Sequence, residues 1–433
     1  SSLTGHCVPP FLDESLFPSE GGFVHGRFCA PFGAGRNETS CCLPCPTTDW
    51  TYGNSLKTYN TTAGWLNVVG LIFLVFLLIS YAVLPTQQTR SHYLSICLVV
   101  SVAMLELGFA IPLFANPRVC YNDITPNDMY SSTECAWGGA FVVAGGLSTA
   151  LWILIRAFSM NLQICWDIVP GQKFFYASQA IGWGVAAALF TATMTATGVS
   201  FRFGASCHVN HANSLADFWG PLLAFEGAAG ILQLATFIYC IHVYLKNLFL
   251  DRSHEQSNQS SGGFGNSART AGARAVYQRL KKVLWLQWRG IAIVTICLVD
   301  VIFFAIVFVY LDGMQASVHN NFSTIEPWLL CLVHNPTERS KCLDLANEWV
   351  LDEEVVSAVL ILLSITGLQV FFFLSRPALL PAWFQFLFSS SRSGNDEFVS
   401  LDARPDVMNN MGGPTPPKYA HVRGHQSTTF EMQ

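Results

Sequence analysis

Seven stretches of this chain are each apolar over some twenty residues or more: 64–84, 92–114, 137–161, 175–199, 217–245, 284–310 and 355–374. A bilayer core is crossed by roughly 20 apolar residues in an α-helix, and in lipid every backbone amide of such a segment must find its partner within the protein. The expected fold is therefore an all-α membrane protein, a seven-transmembrane helix bundle over 64–376. Composition agrees: of 433 residues 12% are charged and 51% are hydrophobic, whereas soluble globular chains carry roughly twice that charge. The third to fifth runs contain Gly138, Gly139, Gly145, Gly146, Gly182, Gly184, Gly227 and Gly230, which let helix backbones approach closely in lipid. Residues 1–63 and 391–433 are polar and broken by Gly, Pro, Ser and Thr. The first is expected to be a short cap and the second a disordered tail. PALLPAWFQFLF, after Arg376, is too short to span, so 377–390 is expected to lie along the interface as a short helix. The chain starts at Ser1 without Met, as removal of a secretory signal peptide would leave it, though trimming gives the same start.

Basic residues set the expected orientation. The loop between the fifth and sixth runs carries Lys246, Arg252, Arg269, Arg274, Arg279, Lys281, Lys282 and Arg289 against Asp251 and Glu255, which places it in the cytoplasm. Alternation then puts the N-terminus outside and the C-terminus inside. The sequons at Asn37, Asn60 and Asn321 fall on the outside of this map, where glycosylation is possible. Ten cysteines fall there too: Cys7, Cys29, Cys41, Cys42, Cys45, Cys120, Cys135, Cys207, Cys331 and Cys342. An even number in an oxidising compartment points to a disulfide framework.

Cys42-Leu-Pro-Cys45 has a spacing shared by zinc sites and dithiol oxidoreductases. A zinc site wants a second ligand pair, and the only nearby histidines are His6 and His25. A redox motif wants a βαβ setting, and none is visible. No metal or cofactor is expected. A bond from Cys135, at the top of the third run, to Cys207 would tie the second outside loop over the bundle mouth. Cys331 and Cys342 are left to pair with each other or with the N-terminal segment.

Acidic groups within a span are costly and mark functional hypotheses. Glu106, Glu226 and Asp300 lie at similar depth, roughly 12 to 15 Å below one face at 1.5 Å per residue. They are candidate ligand-binding residues lining a cavity that favours a cation or a polar ligand. A bound proton or sodium ion, or a hydrogen bond to a neighbouring helix, would also account for them. Arg156 and Arg289 stand at the inner ends of the third and sixth runs. They read as positive-inside anchors or as a latch that opens for a cytoplasmic partner. The basic run at 279–289 would also suit anionic lipid. His208 and His211 are ascribed to loop polarity.

Several segments carry a resemblance: RSHYLSICLVVSVAMLELGF (90–109), CAWGGAFVVAGGLSTALWILIRAF (135–158), QAIGWGVAAALF (179–190) and CHVNHANSLADFWGPLLAF (207–225). They resemble the membrane region of the Frizzled/Smoothened family, and more closely the fungal and amoebal frizzled-like or secretin-like receptors that lack the large cysteine-rich domain. The likeness covers roughly 45–376. It implies a G-protein-coupled receptor in the plasma membrane, with membrane lipids, an extracellular ligand of unknown identity and a heterotrimeric G protein or related effector as partners. It implies no nucleic-acid partner. It also implies disulfides from Cys135 to Cys207 and from Cys120 to the segment before the first run. In animal members a basic residue ending the sixth helix contacts a Trp ending the seventh; Arg289 matches the first, but Phe373 stands where the Trp would be. The KTxxxW-like tail sequence is absent, and 63 residues before the first run are too few for a full lipid-binding cysteine-rich domain.

An enzyme of the seven-span hydrolase type would need His and Asp zinc ligands spread over several runs, and the only histidines there are His92 and His242. No lysine in 355–374 offers a retinal site. A transporter or channel using the acidic trio is the alternative function.

Overall fold

The computed structural model describes residues 4–32, 39–85, 89, 92–211, 213–256, 322–336, 338–346 and 350–388, together with scattered residues between 292 and 307. By its internal contacts the chain divides into 1–384 and 385–433; of the second unit only 385–388, the end of a helix, is described. In chain order the main elements begin with strands β1 (Leu12–Asp13), β2 (Cys29–Phe32) and β3 (Thr39–Cys42). Helices α1 (Ser55–Val83), α2 (Tyr93–Ala115), α3 (Thr133–Cys165) and α4 (Gln172–Ala192) follow. Then come strands β4 (Val199–Phe203) and β5 (Ser206–Val209) and helix α5 (Gly220–Gln256). The remainder are α6 (Phe322–His334), α7 (Glu353–Ser364), α8 (Thr366–Leu374) and α9 (Leu379–Phe388).

Six helices among the described residues are long and apolar enough to cross a membrane, counting α7 and α8 as the single span Glu353–Leu374. The expected sixth span, 284–310, falls largely outside the described residues; those described between 292 and 303 are helical. The helix that carries the first span starts at Ser55, ahead of the apolar run at 64–84. In its polar first turns Thr61 and Thr62 donate their hydroxyls to the backbone four residues back and Lys57 pairs with Asp49. Hydropathy alone does not register a helix that continues beyond lipid.

Helix α3 is the axis of the bundle. Its apolar window is 72% buried against 28% for α1, and it packs on α2, α4, α5 and both strands of the β4–β5 hairpin. Glycines permit this. A Cβ on Gly145 would meet the backbone N of Leu105 at 2.5 Å, and one on Gly108 would meet the carbonyl oxygen of Gly138 at 2.8 Å, so α2 and α3 touch main chain to main chain. On the next sector Gly182 of α4 takes the ring of Trp152, and Gly139 takes Val199 of the hairpin. Ser132 starts α3 by accepting the Cys135 N–H at 3.2 Å on its hydroxyl. Asn161 of α3 donates to Thr236 of α5 at 3.0 Å, a polar tie within the apolar bundle. Helix α1 turns Trp65, Ile72, Val75 and Ile79 outward, as a lipid-facing surface requires.

Two small sheets join the helices. In the first, β3 lies antiparallel between β1 and β2, with Cys42 opposite both Leu12 and Cys29. The second is the β4–β5 hairpin, paired Val199 with Val209 and Phe201 with Cys207 and turning at Gly204 in a left-handed conformation. The acidic segment before the last span folds as well. Trp328, Ile325 and Leu332 line one face of α6 and bury against Leu43, Phe28, Trp50 and Cys342. This segment and the N-terminal sheet therefore share one apolar core.

At the opposite end of the bundle, the Trp383 indole N–H of α9 donates to Ser80 Oγ of α1 at 2.8 Å, and its ring stacks on Phe76.

Candidate functional site

The last span is interrupted. Helix α7 stops at Ser364 and α8 begins at Thr366, with Ile365 between them. A helix start leaves its first backbone N–H groups without partners in the helix. Here one of them, on Gly367, donates to Oε1 of Glu106 on α2 at 2.6 Å. Glu106 is 1% exposed and wedged between glycines: a Cβ at Gly367 would come within 2.6 Å of Oε1, and one at Gly70 of α1 within 3.4 Å of Oε2. Two residues on from Gly367, the Gln369 side chain lies beside Asp300. The structure thus brings Glu106 and Asp300 to one short segment, 367–369. Glu226 is fully buried on α5, and neither of its oxygens has a hydrogen-bond partner among the described residues.

Above Glu106, one turn along α2, the ring of Phe109 lies 5.7 Å from that of His208 in β5. His208 is buried rather than a surface loop residue, unlike the expectation from loop polarity. Burial first, and the Arg202 charge second, hold its pKa down at about 4, so it is neutral at pH 7. The hairpin carrying it spans the bundle mouth: Cys207 is bonded to Cys135 at the head of α3, and Gly204 at the far turn lies against the side-chain amide of Asn60 on α1. A glycan on Asn60 would need that turn to move.

The remaining bridges are Cys7–Cys41, Cys29–Cys42, Cys45–Cys120 and Cys331–Cys342. Cys45–Cys120 joins the cap to the loop after α2, and Cys331–Cys342 is local. Glu14, Cys29 and Cys42 lie close together, but both thiols are already spent on a disulfide, so the cluster offers no thiolate to a metal.

At the other end, the Arg156 guanidinium donates to Ser95 Oγ at 3.0 Å, tying α3 to α2, and Tyr81 donates to the Leu374 carbonyl at 3.4 Å. Phe373 is half-buried and meets Phe372 edge-on at 5.4 Å. Arg289, Asn37 and Asn321 lie outside the described residues.

A curated protein of Aspergillus fumigatus (strain CBS 144.89 / FGSC A1163 / CEA10), "G protein-coupled receptor gprM", is 41% identical over 430 residues, covering 96% of this chain and 85% of that one. The chain belongs to the G-protein-coupled receptors. No protein-family model matches it. Among solved structures squid rhodopsin aligns with a TM-score of 0.43 at 9% identity, covering 82% of this chain and 90% of that one. The receptor is a multi-pass membrane protein with a disulfide-bonded end. What reading the sequence missed are the partners of its acids: Gly70, Gly367 and Gln369 carry no motif, and no proline announces the interruption at Ile365.

Proposed function

We propose that the receptor is of the frizzled/secretin-like type lacking the large cysteine-rich domain. On this reading it sits in the plasma membrane with its disulfide-bonded end outside and passes an extracellular signal to a heterotrimeric G protein or related effector. The likeness to gprM over nearly the whole chain carries the G-protein part. The segments at 90–109, 135–158, 179–190 and 207–225 support the subtype, and the basic loop 246–289 supports the orientation.

The mechanism is a ligand-dependent population shift. A ligand reaching the outer halves of the helices beneath the hairpin would bear on Glu106, which is hydrogen-bonded to the α8 start, and on Asp300 beside Gln369. Moving α8 displaces Phe373 and the Leu374 carbonyl that Tyr81 holds. A helix end is thereby shifted on the effector side, the hinge type of transition. Arg156 and Arg289 act there as the coupling residues, and Glu226 lines the ligand chamber from α5.

The experiment is nucleotide exchange on a purified heterotrimeric G protein reconstituted with the receptor in lipid discs. Receptor-dependent exchange that drops in Arg289→Ala supports the reading. Exchange unchanged in Arg289→Ala removes that latch, and solute or ion flux in liposomes with no exchange replaces receptor by transporter.

A further inference from the structure

At the disulfide-bonded end the structure holds a cavity of about 220 Å³ that the acidic trio does not line. Its walls come from three places: the end of α4, the chain at Asp128–Tyr130, and Phe23 of the cap.

Two independent features make it electronegative. Helix α4 ends here in a wide turn over Thr193–Thr197, closed by the Gly198 N–H donating to the Thr193 carbonyl at 2.8 Å. A helix C-terminus carries the negative end of the macrodipole, equivalent to roughly half a charge. Asp128 also lines the cavity. Its described side-chain hydrogen bonds all end on Oδ1, which accepts from the backbone N–H groups of Tyr130 at 3.1 Å and Ser131 at 2.9 Å and from the Ser131 hydroxyl at 2.8 Å. That arrangement fixes the side chain and leaves Oδ2 available to a ligand.

The rest of the lining is what a soft cation prefers. Among the lining residues Phe23 and Tyr130 are aromatic and Met129 and Met194 carry a polarisable sulfur. No lysine, arginine or histidine is among the described lining residues. An anion would meet the helix end and Asp128 with like sign, and a neutral apolar molecule would leave a carboxylate facing it unpaired.

We propose that this cavity binds a small organic cation, a quaternary ammonium or protonated amine of about the size of choline. The volume lies below the ~300–1,000 Å³ typical of drug-sized ligands, which sets the size. The site is separate from the ligand chamber proposed under the hairpin, and its test reads binding, so its failure leaves the signalling reading untouched.

The probes are choline and its uncharged isostere 3,3-dimethyl-1-butanol, titrated into the purified full-length receptor at constant ionic strength. Thermal unfolding and calorimetry give the readout. Choline is expected to raise the unfolding temperature saturably, and the alcohol is not. In Asp128→Asn the amide oxygen keeps the turn's acceptor while the charge is lost, and choline affinity should fall about fivefold to tenfold, as a charge pair near a protein surface implies. Tyr130→Ala, at a side chain 84% exposed and so harmless to folding, should weaken it about threefold, the cation–π share. No saturable response to choline, an equal response to the alcohol, or affinity unchanged in Tyr130→Ala or in a folded Asp128→Asn overturns the proposal.

Discussion

Replacing Gly145 by alanine should cost the receptor about 1–2 kcal/mol. The added methyl would stand 2.5 Å from the backbone N of Leu105, 2.8 Å from its Cα and 2.9 Å from its Cβ, where ordinary contact begins near 3.4 Å. No rotamer change relieves a clash with main chain, so α2 and α3 must separate by roughly 1 Å. A gap of that size forfeits a quarter to a half of each van der Waals contact along the seam, and overpacking alone costs about 1–3 kcal/mol. Against this, alanine favours a helix over glycine by about 1 kcal/mol. Gly184 isolates that last term, since nothing lies within 4 Å of a Cβ there. Thermal unfolding of the detergent-solubilised receptor separates the two: Gly145→Ala should melt several degrees below wild type and Gly184→Ala at or above it. Adding Leu105→Ala to Gly145→Ala should not restore stability, because the obstructing atoms are N and Cα. Equal melting of the two single variants, or rescue by Leu105→Ala, would refute close backbone contact between α2 and α3.

Gly367→Ala should push the Glu106 carboxyl off the α8 start and lose a buried hydrogen bond, about 0.5–1.5 kcal/mol; shortening the acid in Gly367→Ala/Glu106→Asp should recover part of it, and additive losses in that double-mutant cycle would mean the two do not interact. Stability should fall with acidity through His208. Its folded pKa of about 4 lies below the ordinary 6.5, so the neutral form's contribution is complete above pH 6.5 and is lost as pH drops toward 4, by about 3 kcal/mol in full. Melting temperature against pH should flatten in His208→Gln, and an unaltered profile would exonerate this residue. On glycosylation, Asn60→Gln should leave electrophoretic mobility unchanged while Asn37→Gln or Asn321→Gln sharpens it; a mobility shift in Asn60→Gln would show the hairpin turn standing clear of α1.

The spans were legible because lipid imposes a length and a hydropathy that local composition reports directly. The strands were not. FRFGASCHVNH contains the β4–β5 hairpin, yet its burial comes from α3 below it and the Cys135 bond, neither of which is local. Helix α6 hid for a related reason: at 13 residues it is too short to cross a membrane, and its apolar face finds a partner in the N-terminal sheet, about 300 residues earlier in the chain. Glycine abundance in α3 signalled close packing, but which glycine meets which backbone depends on helix rotation. Glu106 was visible as a costly buried acid. Its partner, a backbone N–H 261 residues away, is a group every residue type but proline offers and no sequence can single out.

The disulfides also carry an order in time. Cys7, Cys29, Cys41 and Cys42 all precede Ser55, so two bridges can close while the first helix is still being synthesised. Cys45 must wait for residue 120, and Cys135 for residue 207. The β1–β3–β2 sheet is thus able to fold as a nascent module, and the later bridges register that α2, and then α4, has already been made. A chain stalled before residue 120 would hold Cys45 as a single unbonded thiol beside a cap already bridged twice, a chemical mark of how far synthesis has gone.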